Sequence, residues 1–317
     1  MTKALINIAL RTLSCNQKEL AAKLNVSPTQ ITKWKNDEHM SFEMADKLRK
    51  ITNIGELDPE FVSSAGSLEE ALKWKKLICY LAATANDNAE TGYETAPLSD
   101  ELDLLSVNTF SVLKEMGVAI PKKFPHELEI DYDDEEDEQF ENIIENPYAS
   151  IIYNIFLSLN DVYGFYVAYI CELMNNDELD LYETTAENIE PCLIELAACK
   201  SEVNRELATN FNNFQHKILN NYKGWLNIVK YKAIGARVPL RAELLDMVYK
   251  DSDKLGETAE AESFGLNDTR IHPDIYMDEL LTGVRLLHQI LPYMMKKMEI
   301  YEGFQPDESD LSIDGKK

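Results

Sequence analysis

The chain has 317 residues, room for one small and one large domain, and 45% of them are apolar, which excludes a polypeptide that is disordered throughout. Its 31 basic and 56 acidic residues leave a net charge of -25, so the molecule as a whole repels phosphate backbones and anionic lipid. The charge is unevenly spread: nine Lys/Arg against five acids put residues 1–52 at +4, and residues 53–317 therefore carry -29.

The basic segment has the more legible pattern. Ile6, Ala9, Leu10 and Leu13 suit one face of a first helix. Asn16 followed by Glu19 forms a capping box that opens a second helix over about 17–24, with Leu20, Ala21 and Leu24 inward. Asn25 and Val26 make a tight turn, and Asn tolerates the left-handed backbone such a turn requires. Ser27 then caps a third helix with Pro28 at its first position, Gln30 completing a second capping box, and Ile31 and Trp34 on its inner face. Two short helices joined by a three- to four-residue turn are the helix-turn-helix layout.

The stretch QKELAAKLNVSPTQITKWKND resembles the Cro/lambda-repressor (XRE-type) helix-turn-helix family through Gln17, Leu20-Ala21, Leu24, Val26-Ser27, Ile31 and Trp34. It departs from that family at Asn25, where Gly is the commonest residue. The resemblance covers about residues 3–60 and implies a compact domain of four to five helices whose third helix enters the major groove of double-stranded DNA. In that docking Ser27, Thr29, Gln30 and Lys33 lie on the half of the helix that reaches base edges. Gln30 suits a bidentate contact to adenine and Lys33 the O6/N7 edge of guanine. The resemblance places Gln17 on a phosphate, with Lys18, Lys23 and Lys35 as further backbone contacts. A helix-turn-helix used only for protein contacts is the competing reading. A module at +4 neutralises only a handful of phosphates, so useful affinity calls for two copies on one duplex and hence a homo-oligomer.

Residues 53–66 are turn-rich, so the domain is expected to span 1–58, with 59–66 as a linker and 67–303 as a larger, acidic, all-helical domain. Ser67 and Glu70 form a capping box for a helix over 67–86 that carries Leu68, Leu72, Ile78 and Leu81. A further helix is expected over 99–116, stopped by Gly117. The acidic run 131–138 reads as a solvated loop, and 126–132 holds the one weak strand pattern. Residues 150–174 form buried helices, interrupted too often by Asn154, Ser158, Asn160, Asp161 and Gly164 to span a membrane. Pro191 is expected to open a long helix to about Asn221, and Pro239 one over 239–250. Residues 251–273 read as an exposed loop. Asp274 then caps a helix over 275–300 with Leu280, Leu281, Val284, Leu287 and Leu291 on one side, which Pro292 should kink or break. Residues 304–317 read as a disordered tail. The fold class is all-α.

The five cysteines form no CxxC pair and read as reduced thiols of a cytoplasmic protein. The five histidines have no metal-ligand spacing, and no phosphate-binding loop, dinucleotide fingerprint or nucleophile elbow is present. No catalytic, cofactor or metal residue is therefore assigned, and no enzymatic activity is expected. The expectation is a bacterial or phage-type transcriptional regulator, nucleoid-associated when bound to DNA. Its C-terminal region would oligomerise and engage a protein partner or small ligand. The alternative is an effector or assembly component of a mobile-element, phage-defence or toxin–antitoxin system that uses the helix-turn-helix for autoregulation or recruitment.

Overall fold

The apolar spacing of residues 3–52 closes into four helices in the structure, a computed structural model that describes residues 2–99, 104–132, 137–187 and 189–303. Helix α1 (Thr2–Thr12) buries Leu5, Ile6, Ile8 and Ala9. Helix α2 (Gln17–Leu24) and helix α3 (Pro28–Lys35) pack against it, and helix α4 (Phe42–Thr52) adds the fully buried Leu48. Ser41 caps α4, which ends at Asn53 in the left-handed conformation.

Residues 59–66 are not a linker. Pro59–Ala65 form helix α5, whose first amides, those of Glu60 and Phe61, donate to the Asp58 carboxylate at 2.7 and 3.1 Å. Asp-Pro is itself a helix-start pair, but seven residues are too few to show a helical period. Phe61, Val62 and Ala65 are buried, and the Phe61 ring meets Phe110 edge-on at 4.7 Å between centroids. The basic module and the acidic body thus share one continuous core.

Helix α6 (Leu68–Asp87) starts with the Ser67 hydroxyl accepting the Glu70 amide, as expected, but the Glu70 carboxylate takes the Phe124 amide instead of closing the box. Its buried face runs through Trp74, Leu77, Ile78 and Leu81, while Leu72 points to solvent. A 3-10 turn at Ala96–Ser99 precedes helix α7 (Leu104–Glu115), which ends before Gly117 at φ +86°. The segment read as a weak strand instead holds a 3-10 turn, His126–Leu128. Most of the acidic run lies outside the described residues or opens helix α8 (Asp137–Glu145).

Helix α9 (Pro147–Tyr169) is the axis of the body. Asn146 caps it through the Tyr148 and Ala149 amides, and it is buried almost all round because α6 and two later helices pack on it. Helix α10 (Cys171–Met174) follows. The single helix expected over 191–221 is two, helix α11 (Leu193–Lys200) and helix α12 (Phe211–Ala236). Ser201 is extended, and Asn210 ties the break to the end of α7 by donating its backbone amide to Met116 O and its side chain to Glu115 O, both at 2.9 Å. A tertiary anchor, not a local breaker, ends α11.

The expected helix over 239–250 is a 3-10 turn, Ala242–Leu245, running into helix α13 (Asp246–Tyr249). The loop expected over 251–273 is in its first half helix α14 (Ser252–Ser263), capped by Asp251 on the Lys254 amide. Its buried residues Ser252, Leu255, Gly256 and Ala259 recur at helical spacing beneath a polar composition, and Gly256, with no side chain, lets α14 lie close on α9 at Asp161. Helix α15 (Tyr276–Lys297) runs unbroken through Pro292. Asp274 does not occupy its N-cap, but its carboxylate accepts the Tyr276 amide at 2.9 Å. The expected tail, 304–317, lies outside the described residues. Among the described residues the only strand-like pairing is an isolated bridge between Arg241 and Asp274, and no helix is long and apolar enough to cross a membrane.

Candidate nucleic-acid interface

The turn between α2 and α3 is built by local hydrogen bonds. Asn16 Oδ1 accepts the Lys18 and Glu19 amides at 3.0 Å, while Glu19 Oε2 takes the Asn16 amide at 3.0 Å, so the expected reciprocal box closes. Asn25 is left-handed, with φ 59° and ψ 46°, and Val26 N–H donates back to Ala21 O at 2.9 Å. An Asn in this place therefore makes the turn that Gly more often makes. The Ser27 hydroxyl accepts the Gln30 amide at 3.1 Å, the first half of the second box. Leu20, Ala21, Leu24, Ile31 and Trp34 are buried with Ile6, Ala9 and Leu48, which fixes the angle between the two helices and leaves the other face of α3 to solvent.

Lys18, Ser27, Thr29 and Lys33 are exposed, and Gln17, Gln30 and Lys35 are half-buried. Thr32 and Asn36 were missed at the level of sequence. Both are exposed, and their steps of three and seven residues from Thr29 put them on its face. The Thr32 hydroxyl donates to Pro28 O at 3.2 Å. The outer surface of α3 is therefore a polar strip of hydroxyls, an amide and a lysine.

The electrostatics are less simple than the count of lysines. Lys33 Nζ lies 3.8 Å from Glu38 Oε2, both side chains about half exposed, so this lysine rests against a carboxylate just beyond its own helix. Three other cations are turned to backbone carbonyls. Lys47 Nζ donates to Leu24 O at 3.2 Å, Arg49 to Gly55 O and Leu57 O at 2.8 and 2.9 Å, and Arg11 to Gly66 O at 3.2 Å. Lys18, Lys23 and Lys33 remain exposed. At the far end of α3 the Lys3 backbone N–H holds the Asp37 carboxyl below its ordinary pKa.

Two polar assemblies lie in the body, away from this face. Arg241 bridges Glu262 Oε1 at 2.9 Å and His272, whose Nδ1 is 2.5 Å from Glu243 Oε1, and this clamp holds the segment leading into α15. Asp161 sits in an acidic groove with Glu90, Asp251 and Asp253, where burial and then those charges push its carboxyl up to about 7. No group of three or more His, Cys, Asp or Glu side chains among the described residues is arranged to hold a metal ion.

A buried three-helix core carrying an outward polar α3 defines a helix-turn-helix domain. Residues 9–58 match the helix-turn-helix family model, of the Cro/C1 kind, and no family is recognised beyond them. Comparison with curated proteins and with solved structures finds no match.

Proposed function

We propose that this protein is a sequence-specific DNA-binding transcriptional regulator of bacterial or phage type, cytoplasmic and acting as a dimer or higher oligomer. The observation that carries the reading is the outward face of α3, where Thr29, Gln30, Thr32 and Lys33 stand clear of the core on a helix opened by Ser27 and Pro28. These groups supply the donors and acceptors that major-groove base edges require, while Gln17 and Lys18 at the start of α2 flank them for phosphate contacts. Gln30 and Lys33 read bases, and Lys35 and Lys23 add backbone contacts. The acidic body is the assembly and sensing part, with no catalytic step assigned to it.

The experiment is a gel shift of the full-length protein on the DNA upstream of its own coding sequence, across a salt titration, with Lys33→Ala alongside. Specific binding that weakens steeply with salt, at a slope near 0.9 per neutralised phosphate, is the expected result. The variant loses preference for the specific site by about 1–3 kcal/mol. Equal binding of random and upstream DNA by the wild-type protein removes the reading.

A further inference from the structure

The most exposed apolar surface of the molecule is helix α15. No other described element packs along it, and of its described side chains only Met295 is buried. Leu280, Leu287 and Leu291 are 61%, 62% and 52% exposed, values that a lone helix in water does not sustain without a partner. The spacing of these residues is regular. Met277, Val284, Leu291 and Met298 recur every seven residues, and Leu280, Leu287 and Met294 fall three residues after the first three of them. All seven are exposed. This is an unbroken a/d seam over three heptads, the 3.5-residue period of a helix that faces another helix of the same kind. The buried face of α6 keeps the same register through Ala71, Trp74, Ile78, Leu81 and Ala85, but other helices of this chain cover it, whereas the seam of α15 stands uncovered.

We infer that α15 pairs with α15 of a second copy of this chain. Area supports that occupant: the seam with its apolar flanks Leu281 and Ile290 presents on the order of 800 Å² per copy, comparable with the ~800 Å² that each partner buries in an interface of standard size. Charge supports it as well. Two chains of -25 repel each other overall, but residues 280–298 contain Arg285, Lys296 and Lys297 with no Asp or Glu, and the two acids of α15, Asp278 and Glu279, fall at b and c positions of its first turn, off the seam. No a or d position carries a charge or an amide, so nothing in the seam selects against its own copy. Val284 at an a position between Leu280 and Leu287 at d positions is the pattern that favours two strands. Pro292 sits at the outward b position, where its ring and missing N–H leave the seam intact.

This deepens the oligomeric part of the proposed function by naming its surface, and it stands on α15 alone. Sedimentation equilibrium of the full-length protein at micromolar concentration tests it. The expected mass is twice the 36.2 kDa of one chain. Val284→Glu combined with Leu287→Glu yields a monomer with the unfolding midpoint of the body retained, whereas Leu286→Glu, at an outward position, stays dimeric. Val284→Gln with Leu287→Gln is the milder version should the acidic pair prevent folding. A monomeric wild-type protein, a seam variant that remains dimeric, or dissociation of the Leu286 variant to the same extent each overturns the inference. A dimer that fails to bind DNA removes the regulator reading and leaves the pairing; operator binding by a monomer does the reverse.

Discussion

Gly66 passes so close to Lys122 that a Cβ at position 66 would stand 2.5 Å from the Lys122 carbonyl oxygen, and its φ of +109° is one that residues with a Cβ rarely adopt. The Lys122 ammonium meanwhile donates to Ser63 O at 3.2 Å and Ser64 O at 2.7 Å, and Arg11 reaches Gly66 O from the other side. Two cations thus meet the carbonyl end of α5, where the helix dipole is negative. The helix-turn-helix module is clamped to the body at this point. Gly66→Ala combines backbone strain with a clash against main chain and should cost about 2–4 kcal/mol, read as a lowered midpoint in urea unfolding.

Phe61 reports on the shared core. Its ring bridges α5 to Phe110 of α7, so Phe61→Ala leaves a cavity on the seam between module and body and should cost about 3–5 kcal/mol. Near-complete loss of one cooperative transition is expected by calorimetry. Two separate transitions in the wild-type protein, only one of them moved by the substitution, would contradict a common core.

In the proposed docking, Glu38 competes with DNA for Lys33. Removing its charge by Glu38→Gln frees the lysine and lowers the local negative potential, so DNA affinity should rise several-fold at low salt. Anisotropy titrations at two ionic strengths check this, with the gain shrinking as salt increases. An unchanged affinity at low salt would place Lys33 away from the duplex.

Asp161 sets a pH dependence. Burial first, then Asp253, Glu90 and Asp251, raise its carboxyl from 3.8 to about 7 on folding, so the folded chain holds a proton there that the unfolded chain has released. The contribution to stability is therefore full near pH 4 and is lost as pH rises through 7. Asp161→Asn should be more stable than wild type at pH 8 by on the order of 1 kcal/mol, after allowance for solvent screening, and the gap should close towards pH 4. Thermal melts of both proteins at the two pH values measure it.

Where the chain's own local chemistry dictates conformation, the sequence was sufficient. The Asn16–Glu19 box, the left-handed Asn25 and the Ser27-Pro28 start are bonds among residues within five positions of one another, and the module they build was readable down to the exposure of Thr29 and Lys33. Thr32 was legible too, one helical turn from Thr29. In the body, Leu72 matched the apolar period of α6 and still faces water, because the covering elements sit one face round. Helix α14 was hidden by composition: its Gly, Ser, Asp and Glu read as a loop, although Ser252, Leu255, Gly256 and Ala259 keep the helical interval.

The all-α class, the basic module and its recognition helix, and the seven-residue rhythm of α15 follow from short-range bonds and periodicity that exist before any folding partner arrives. The break between α11 and α12, the docking of α5 and the turn of Glu70 from its own helix to Phe124 depend on groups 50 to 100 positions away, and no local window contains them. Helix α15 runs on through Pro292, the point where local chemistry alone would kink or break it. Long-range packing chose among local options of nearly equal free energy, and that choice is what joined a helix-turn-helix module and an acidic body into one core.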